Sequence, residues 1–343
     1  IKFHRSILSE EKMMTRKKVR HHFTIRPMIH VAAICAFFFI ALIPKSASAL
    51  DILLGTGPEG TFSHFTGRTI CRIISRQAED ITCNAVPGPD AIHNLTNLQG
   101  GSLDISLVDS RMLADAVNKA GYFEFMDIRF DSLRALLPLY DRPFTLVARG
   151  DAQITSLEKL KGKRINAGAP RSEEHLATDA ILTAKNWAKE DFSLFAELSA
   201  SLSQDTMAFC HGEVEAMVHI GVHPDPLLQQ LFELCTAAFV DMDDSDIVEL
   251  VDSQPALSMI DIPAGIYPAL QKPVLTFGTT MSLIASASLD EETAYKIMEA
   301  LDKNQQNLRS THSALSAFTV GPDRKRTVGI ELHPGAAKYF SEN

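Results

Sequence analysis

From Asp51 onward the chain alternates short apolar runs with amphipathic stretches. Asp51–Gly55 reads as a strand, and Thr61–Gln77 as a helix, with Phe62, Phe65, Ile70, Ile73 and Ile74 at helical spacing. A strand over Ile81–Val86, a helix over Asp90–Leu98, a strand over Asp104–Val108 and a helix over Arg111–Lys119 follow. This βαβαβα order demands a parallel sheet with helices on both faces.

Two extended segments come next, Leu133–Leu139 and Phe144–Arg149, separated by Asp141-Arg142-Pro143. The alternation then restarts. It gives a helix at Ser156–Leu160, a strand at Arg164–Ala167, a helix at Ser172–Trp187, a short strand near Phe195–Leu198 and a helix at Ser203–His211. A strand at Ala216–His219, a helix at Pro226–Leu234 and a strand at Ala238–Met242 complete a second set of the same parts. Val274–Ala287 is again extended and is expected to lie against Phe144–Arg149, followed by a helix from Leu289 through Tyr295, Ile297, Met298 and Leu301. The chain thus leaves a first lobe and returns to it through two neighbouring strands, which makes a hinge. Residues 50–143 are expected to open lobe I, 144–280 to form lobe II, and 281–343 to return to lobe I and end the chain. Ligands of open α/β sheets bind beyond the carboxyl ends of the strands, here the cleft between the lobes.

Composition narrows the classes. The 343 residues are 45% hydrophobic and 22% charged, which suits two globular domains. The formal net charge of −9 argues against nucleic acid, whose binders need a basic face. The first fifty residues differ from the rest. Arg16, Lys17, Lys18, Arg20 and Arg26 precede an apolar run from Ile29 to Ile43, then Pro44 and Ser46-Ala47-Ser48-Ala49. That run is shorter than the roughly 20 residues a spanning helix needs. The pattern is that of a secretory signal peptide over residues 1–49, cleaved after Ala49, with Met13 or Met14 as the natural start. Cys71, Cys83, Cys210 and Cys235 remain in the exported part. Their order makes Cys71 with Cys83 and Cys210 with Cys235 the easiest pairs to close in an oxidising compartment, and buried free thiols are the alternative.

Candidate chemistry is sparse. Gly55-Thr56-Gly57-Pro58-Glu59-Gly60 has the spacing of a dinucleotide fingerprint between a strand and a helix. The second strand, however, ends Ala85-Val86-Pro87-Gly88 with no acid for a ribose, and nicotinamide cofactors are not expected outside the inner membrane. What survives is a glycine turn that lets backbone approach a ligand, with the amides of Gly60, Thr61 and Phe62 at a helix N-terminus suited to a carboxylate. His219 and His223 are four apart, with His211 and Glu215 nearby, but the spacing lacks a third metal ligand, so both are expected to line the cleft or the surface. No metal, cofactor or catalytic set is expected, since neither a G-x-S-x-G elbow nor a Cys/His nucleophile pair is present. Asp241–Asp246 is expected to be a solvated acidic loop, with a calcium contact as the alternative. Ala167-Gly168-Ala169-Pro170-Arg171-Ser172 mirrors the first glycine loop across the cleft, with Ser172 as a helix cap or ligand contact.

Several segments in order resemble the TAXI group of TRAP-transporter solute-binding proteins. They are the export segment, the Gly60-Thr61-Phe62 turn, Asp151–Arg164, Gly168-Ala169-Pro170, His223-Pro224-Asp225-Pro226, Ile262–Tyr267 and Leu332–Ala337. The resemblance implies a type II periplasmic binding protein, an α/β chain of two lobes joined by a two-strand hinge around a ligand cleft. It would hand a small carboxylate or amino-acid-like ligand to TRAP membrane subunits and would not be an enzyme. An exported sensory module, or an exported enzyme using the same cleft, is the alternative. By the same resemblance Thr61, Phe62, Asn94, Ser110, Tyr140, Ser172 and His223 would contact ligand. Two departures bear on its chemistry. The group often has Gly-Ser-Gly-Thr where this chain has Arg171-Ser172-Glu173-Glu174, and Gln where it has Asp109. Arg171 is therefore expected to clamp a carboxylate while Asp109 or Glu173 receives an ammonium group, favouring a zwitterionic or partly cationic ligand over a simple dicarboxylate.

Overall fold

The computed structural model describes residues 49–198, 204–321 and 330–343. The expected export segment, Ala49 apart, and Ser203 at the start of an expected helix lie outside the described residues. In chain order the strands are β1 (Leu50–Thr56), β2 (Ile81–Pro87), β3 (Ile105–Asp109), β4 (Leu133–Arg149), β5 (Arg164–Asn166), β6 (Leu194–Ala196), β7 (Ala216–Ile220), β8 (Ala237–Phe239), β9 (Ser258–Ile262) and β10 (Val274–Ser286). The helices are α1 (Phe62–Gln77), α2 (Ala91–Gln99), α3 (Ser110–Asn118), α4 (Glu173–Ala184), α5 (Gln204–Cys210), α6 (Pro226–Leu234), α7 (Ser245–Ser253), α8 (Glu291–Lys303), α9 (Gln305–Arg309) and α10 (Pro334–Glu342).

The strands follow the order β2-β1-β3-β10-β4-β7-β5-β6, with β8 on β4 and β9 on β10. β1 pairs in parallel with β2 and β3, and β5 in parallel with β6 and β7, so each lobe carries its own parallel core. Among the described residues, only the antiparallel strands β4 and β10 run through both. Strand alternation fills two layers per lobe. Along β10, Leu283 joins the core beneath α1, α8 and α10, while Ile284 joins the core beneath α2 and α3. Along β4, Leu146 packs with Ile181 of α4 and Ile247 of α7, and Val147 with Phe209 of α5 and Leu228 of α6. Each fully buried aliphatic of this kind contributes roughly 1.5–3 kcal/mol relative to exposure.

The structure corrects the reading around the linking strands. Residues 133–149 form one strand rather than two, and β10 pairs with the first half of it, from Leu133 to Pro143, rather than with Phe144–Arg149. The second half pairs with β7 and β8 instead. Pro143 marks the switch, its carbonyl accepting the amide of Gly221 at 3.5 Å just past β7. Its partner Gly278 lets the two backbones approach there, since a Cβ would overlap the Arg142 carbonyl oxygen and lie 2.9 Å from the Cα of Pro143. Beyond that point the Thr276 hydroxyl bonds the Phe144 carbonyl at 2.5 Å.

Other differences have local causes. Helix α7 and strand β9 were not read from the sequence, and the acidic run before them is not simply solvated. Asp244 caps α7 by accepting the Asp246 amide, and both carboxylates meet Lys185 at 2.8 Å. With Glu158 they surround an ammonium group whose side chain is only 6% exposed. The Leu332–Ala337 motif also has a structural reason. His333 accepts the Gly335 amide at Nδ1 and donates from Nε2 to the Leu289 carbonyl at 3.0 Å, starting α10 with Pro334 in its first turn. Gly335 lets α10 sit on α8, since a Cβ there would come within 2.8 Å of the Ala294 side chain and the Tyr295 amide. Both proposed cysteine pairs are disulfides: Cys71–Cys83 ties α1 to the edge strand β2, and Cys210–Cys235 ties α5 to the end of α6.

Candidate functional site

The carboxyl ends of β1 and β3 open on a cleft of about 760 Å³ whose far wall belongs to the second lobe. Its floor is the middle of the two linking strands, with Tyr140 and Arg142 from β4 and Met281 from β10. Such a position, at the strand ends and between lobes, is where open α/β sheets take their ligands.

Each lining group is held by its own element. Gly60 adopts φ of 84°, a left-handed turn that suits glycine, and delivers Thr61 as the cap of α1. The Thr61 hydroxyl donates to the Pro58 carbonyl at 2.7 Å and accepts the His64 amide at 3.3 Å. Phe62, one step on, packs edge-on against Tyr140 at 4.8 Å and tilts against His312 at 4.5 Å between centroids. Asn94 is buried on α2 and donates to the Thr56 carbonyl at 2.8 Å. Asp109 ends β3 and caps α3 by accepting the Arg111 amide at 2.9 Å.

Arg142 ties the two lobes at this floor. Its guanidinium bonds Asp109 of the first lobe at 3.1 Å and Glu173, the first residue of α4 in the second lobe, at 2.5 Å. The Thr279 hydroxyl donates to the same Asp109 oxygen at 2.5 Å. Burial pushes the Asp109 carboxyl above its ordinary range, with Arg142 pulling against it and Glu173 adding to the rise. Burial works against the Arg142 charge too, but Glu173 and Asp109 outweigh it and hold the guanidinium above its ordinary range. Burial likewise raises the Tyr140 hydroxyl.

Of the residues singled out from sequence, Thr61, Phe62, Asn94, Asp109, Tyr140 and Glu173 come together on the lining, while Ser110, Arg171, Ser172 and His223 do not lie on it. The Ser110 hydroxyl donates to the Ala256 carbonyl at 2.6 Å and accepts the Thr280 amide at 3.0 Å, stitching α3 to β10. Ser172 caps α4 by accepting the His175 amide at 3.2 Å. Arg171 is exposed, in the left-handed region at φ of 71°, and its carbonyl accepts the Tyr122 hydroxyl from the first lobe at 2.9 Å. Left-handed backbone disfavours a Cβ, which accords with the glycine that the resembled group often carries at this position. Sequence reasoning missed Arg142, Asp90, Asp225 and His312, all of which line the cleft.

His223 lies behind the wall, 5% exposed. The Tyr267 hydroxyl accepts the Asp225 amide at 2.6 Å, so its one proton goes to His223 Nδ1 at 2.6 Å. Nε2 then carries the ring proton and donates to the Thr145 hydroxyl at 3.0 Å. Burial, with His219 adding and Asp225 opposing, pushes the imidazole down to about 4. Between the unfolded value near 6.5 and that value the unfolded chain binds the extra proton, so stability is complete above pH 6.5 and is lost as pH falls toward 4. The loss from this group is expected to approach roughly 3 kcal/mol. Denaturant midpoints taken from pH 7.5 downward should show a shallower decline in His223→Gln than in the parent; parallel curves reject the assignment.

A model of the NMT1-like family matches residues 54–343. The chain belongs to this family. Among solved structures, the TctC solute binding protein from Polaromonas is similar at 14% identity, over 76% of this chain and 86% of that one, with a TM-score of 0.54. The periplasmic sulfonate-binding protein SsuA from Methylobacillus flagellatus is similar at 12% identity, over 76% of this chain and 70% of that one, with a TM-score of 0.49. The Polaromonas likeness shows that this NMT1-like chain shares the fold of that solute binding protein, and its cleft lies at the seam of the two lobes.

Proposed function

We propose that the protein is an exported solute-binding protein that takes a small carboxylate or amino-acid-like ligand into the cleft and delivers it to the membrane subunits of a TAXI-type TRAP transporter. It acts by hinge closure in the periplasm, without making or breaking a covalent bond. The observation that supports this reading is the cleft shared by both lobes and floored by the two strands that run through both, with Arg142 bonded to an acid from each side. A ligand that touches both walls favours the closed arrangement by its differential affinity for it. Membership of the NMT1-like family and the fold shared with a TctC solute binding protein accord with this role.

The test is a thermal-shift screen of amino acids, keto acids and dicarboxylates against the purified protein, followed by small-angle scattering. A true ligand raises the melting temperature with concentration, by about 2.7 kcal/mol of stabilisation at a hundred times Kd, and shrinks the radius of gyration. Uptake by vesicles bearing TRAP membrane subunits should then require the loaded protein. A stabilising ligand that leaves the scattering curve unchanged would sink hinge closure, and uptake that proceeds without the protein would sink delivery.

A further inference from the structure

The charge of the ligand is written into the lining of the cleft. Among the described residues that line it, Arg142 is the only Lys or Arg, against four carboxylates, Asp90, Asp109, Glu173 and Asp225. Both terminal nitrogens of Arg142 are already bonded to acids. Its neighbour Arg111 bonds Asp115 on its own helix at 3.3 Å. Asp90 caps α2, and Asp225 caps α6 with His219 at 3.1 Å from its carboxylate. His312 adds no positive charge at neutral pH, since burial holds its imidazole below the ordinary range. A carboxylate brought here by a ligand would face like charges in a partly dry site, an unfavourable arrangement.

The walls favour the opposite sign for a separate reason. Phe62, Tyr140 and His312 form one aromatic cluster on the lining, with Phe65 5.9 Å beyond Phe62. Faces of Phe and Tyr attract ammonium and guanidinium groups within about 6 Å. Met112 and Met281 supply adaptable apolar surface beside them.

We infer that the cleft takes an organic cation of net positive charge, its ammonium or guanidinium head toward Asp109 and Glu173 and its apolar stem along Met112, Met281 and Phe62. This assignment rests on the solute-binding reading above. It is tested by calorimetry on the purified full chain with four probes: cadaverine, lysine, glutamine and glutarate. Cadaverine and lysine are expected to bind, more weakly as salt is raised. Glu173→Gln should weaken cadaverine about tenfold, the scale of one charge-assisted hydrogen bond, and should tighten glutarate, because it removes a negative charge and loosens the claim on Arg142. A purely structural role for Glu173 would weaken both probes, and that result overturns the assignment. So does binding of glutarate or glutamine with cadaverine and lysine silent, which leaves the solute-binding reading standing. Silence of both cations overturns the assignment as well, and the broader screen then decides independently whether the cleft binds anything.

Discussion

Arg142→Met is expected to cost about 3 kcal/mol of stability at neutral pH, the scale of a buried ion pair broken from one side. The reason lies with Asp109, whose side chain is 6% exposed and keeps only the Thr279 hydroxyl and the Arg111 amide once the guanidinium is gone. Without the opposing pull of Arg142, burial raises the Asp109 carboxyl further. The folded variant then binds a proton more readily than the unfolded chain, so the deficit relative to the parent should shrink as pH falls from 7 through the raised carboxyl value. Arg142→Met combined with Asp109→Asn should recover most of the loss at neutral pH. Urea melts of the three proteins at neutral and mildly acid pH decide the matter; a deficit that neither acid nor the second substitution repairs would trace to packing rather than charge.

Removal of both disulfides is expected to cost more, about 6 kcal/mol in all. The bridges close stretches of 12 and 25 residues, and the loop-closure relation gives about 3 kcal/mol for each. Cys71–Cys83 belongs to the core of the first lobe and Cys210–Cys235 to one of the second. The two effects should therefore add, as distant sites do. Cys71→Ser/Cys83→Ser should weaken mainly the first lobe, and Cys210→Ser/Cys235→Ser the second. Denaturant melts of each double variant and of their combination check this, alongside thiol titration of the unfolded, unreduced parent. Four reactive thiols in that parent, or melts indifferent to reductant, would contradict the pairing.

The opening of the first lobe, from β1 to α3, was legible because its strands and helices alternate with clear periods, and structure and sequence agree there to within a residue or two, whereas α9 and α10 were not read. The linking strands were harder. Pro143 looked like a break, yet one strand passes through it by exchanging β10 for β7 as its neighbour, and nothing local in sequence announces a change of partner. Arg142 escaped notice for a related reason. Its acids are 33 and 31 residues away, from different lobes, so no spacing rule joins them. A signal was nevertheless present: a charged pair, Asp141-Arg142, interrupts an apolar run that is otherwise buried, and a charge kept in such a place implies a partner. Arg171 drew attention instead because of what it replaces in a resembled group, but its left-handed backbone and exposure set it outside the lining. Helix α7 was hidden by its acidic preface, which reads as a loop until Lys185 is seen among those acids.

The late position of β10 governs the order in which the molecule can assemble. The sheet of the second lobe is drawn from one unbroken stretch, the far half of β4 through β8, whereas β10 must slide between β3 and β4 to finish the first. A chain made amino end first therefore leaves the edge of β3 without β10 until the whole intervening lobe has been synthesised. Closure over so long a loop is slow, and open edges invite aggregation, so the half of the molecule that emerges first is the half that matures last.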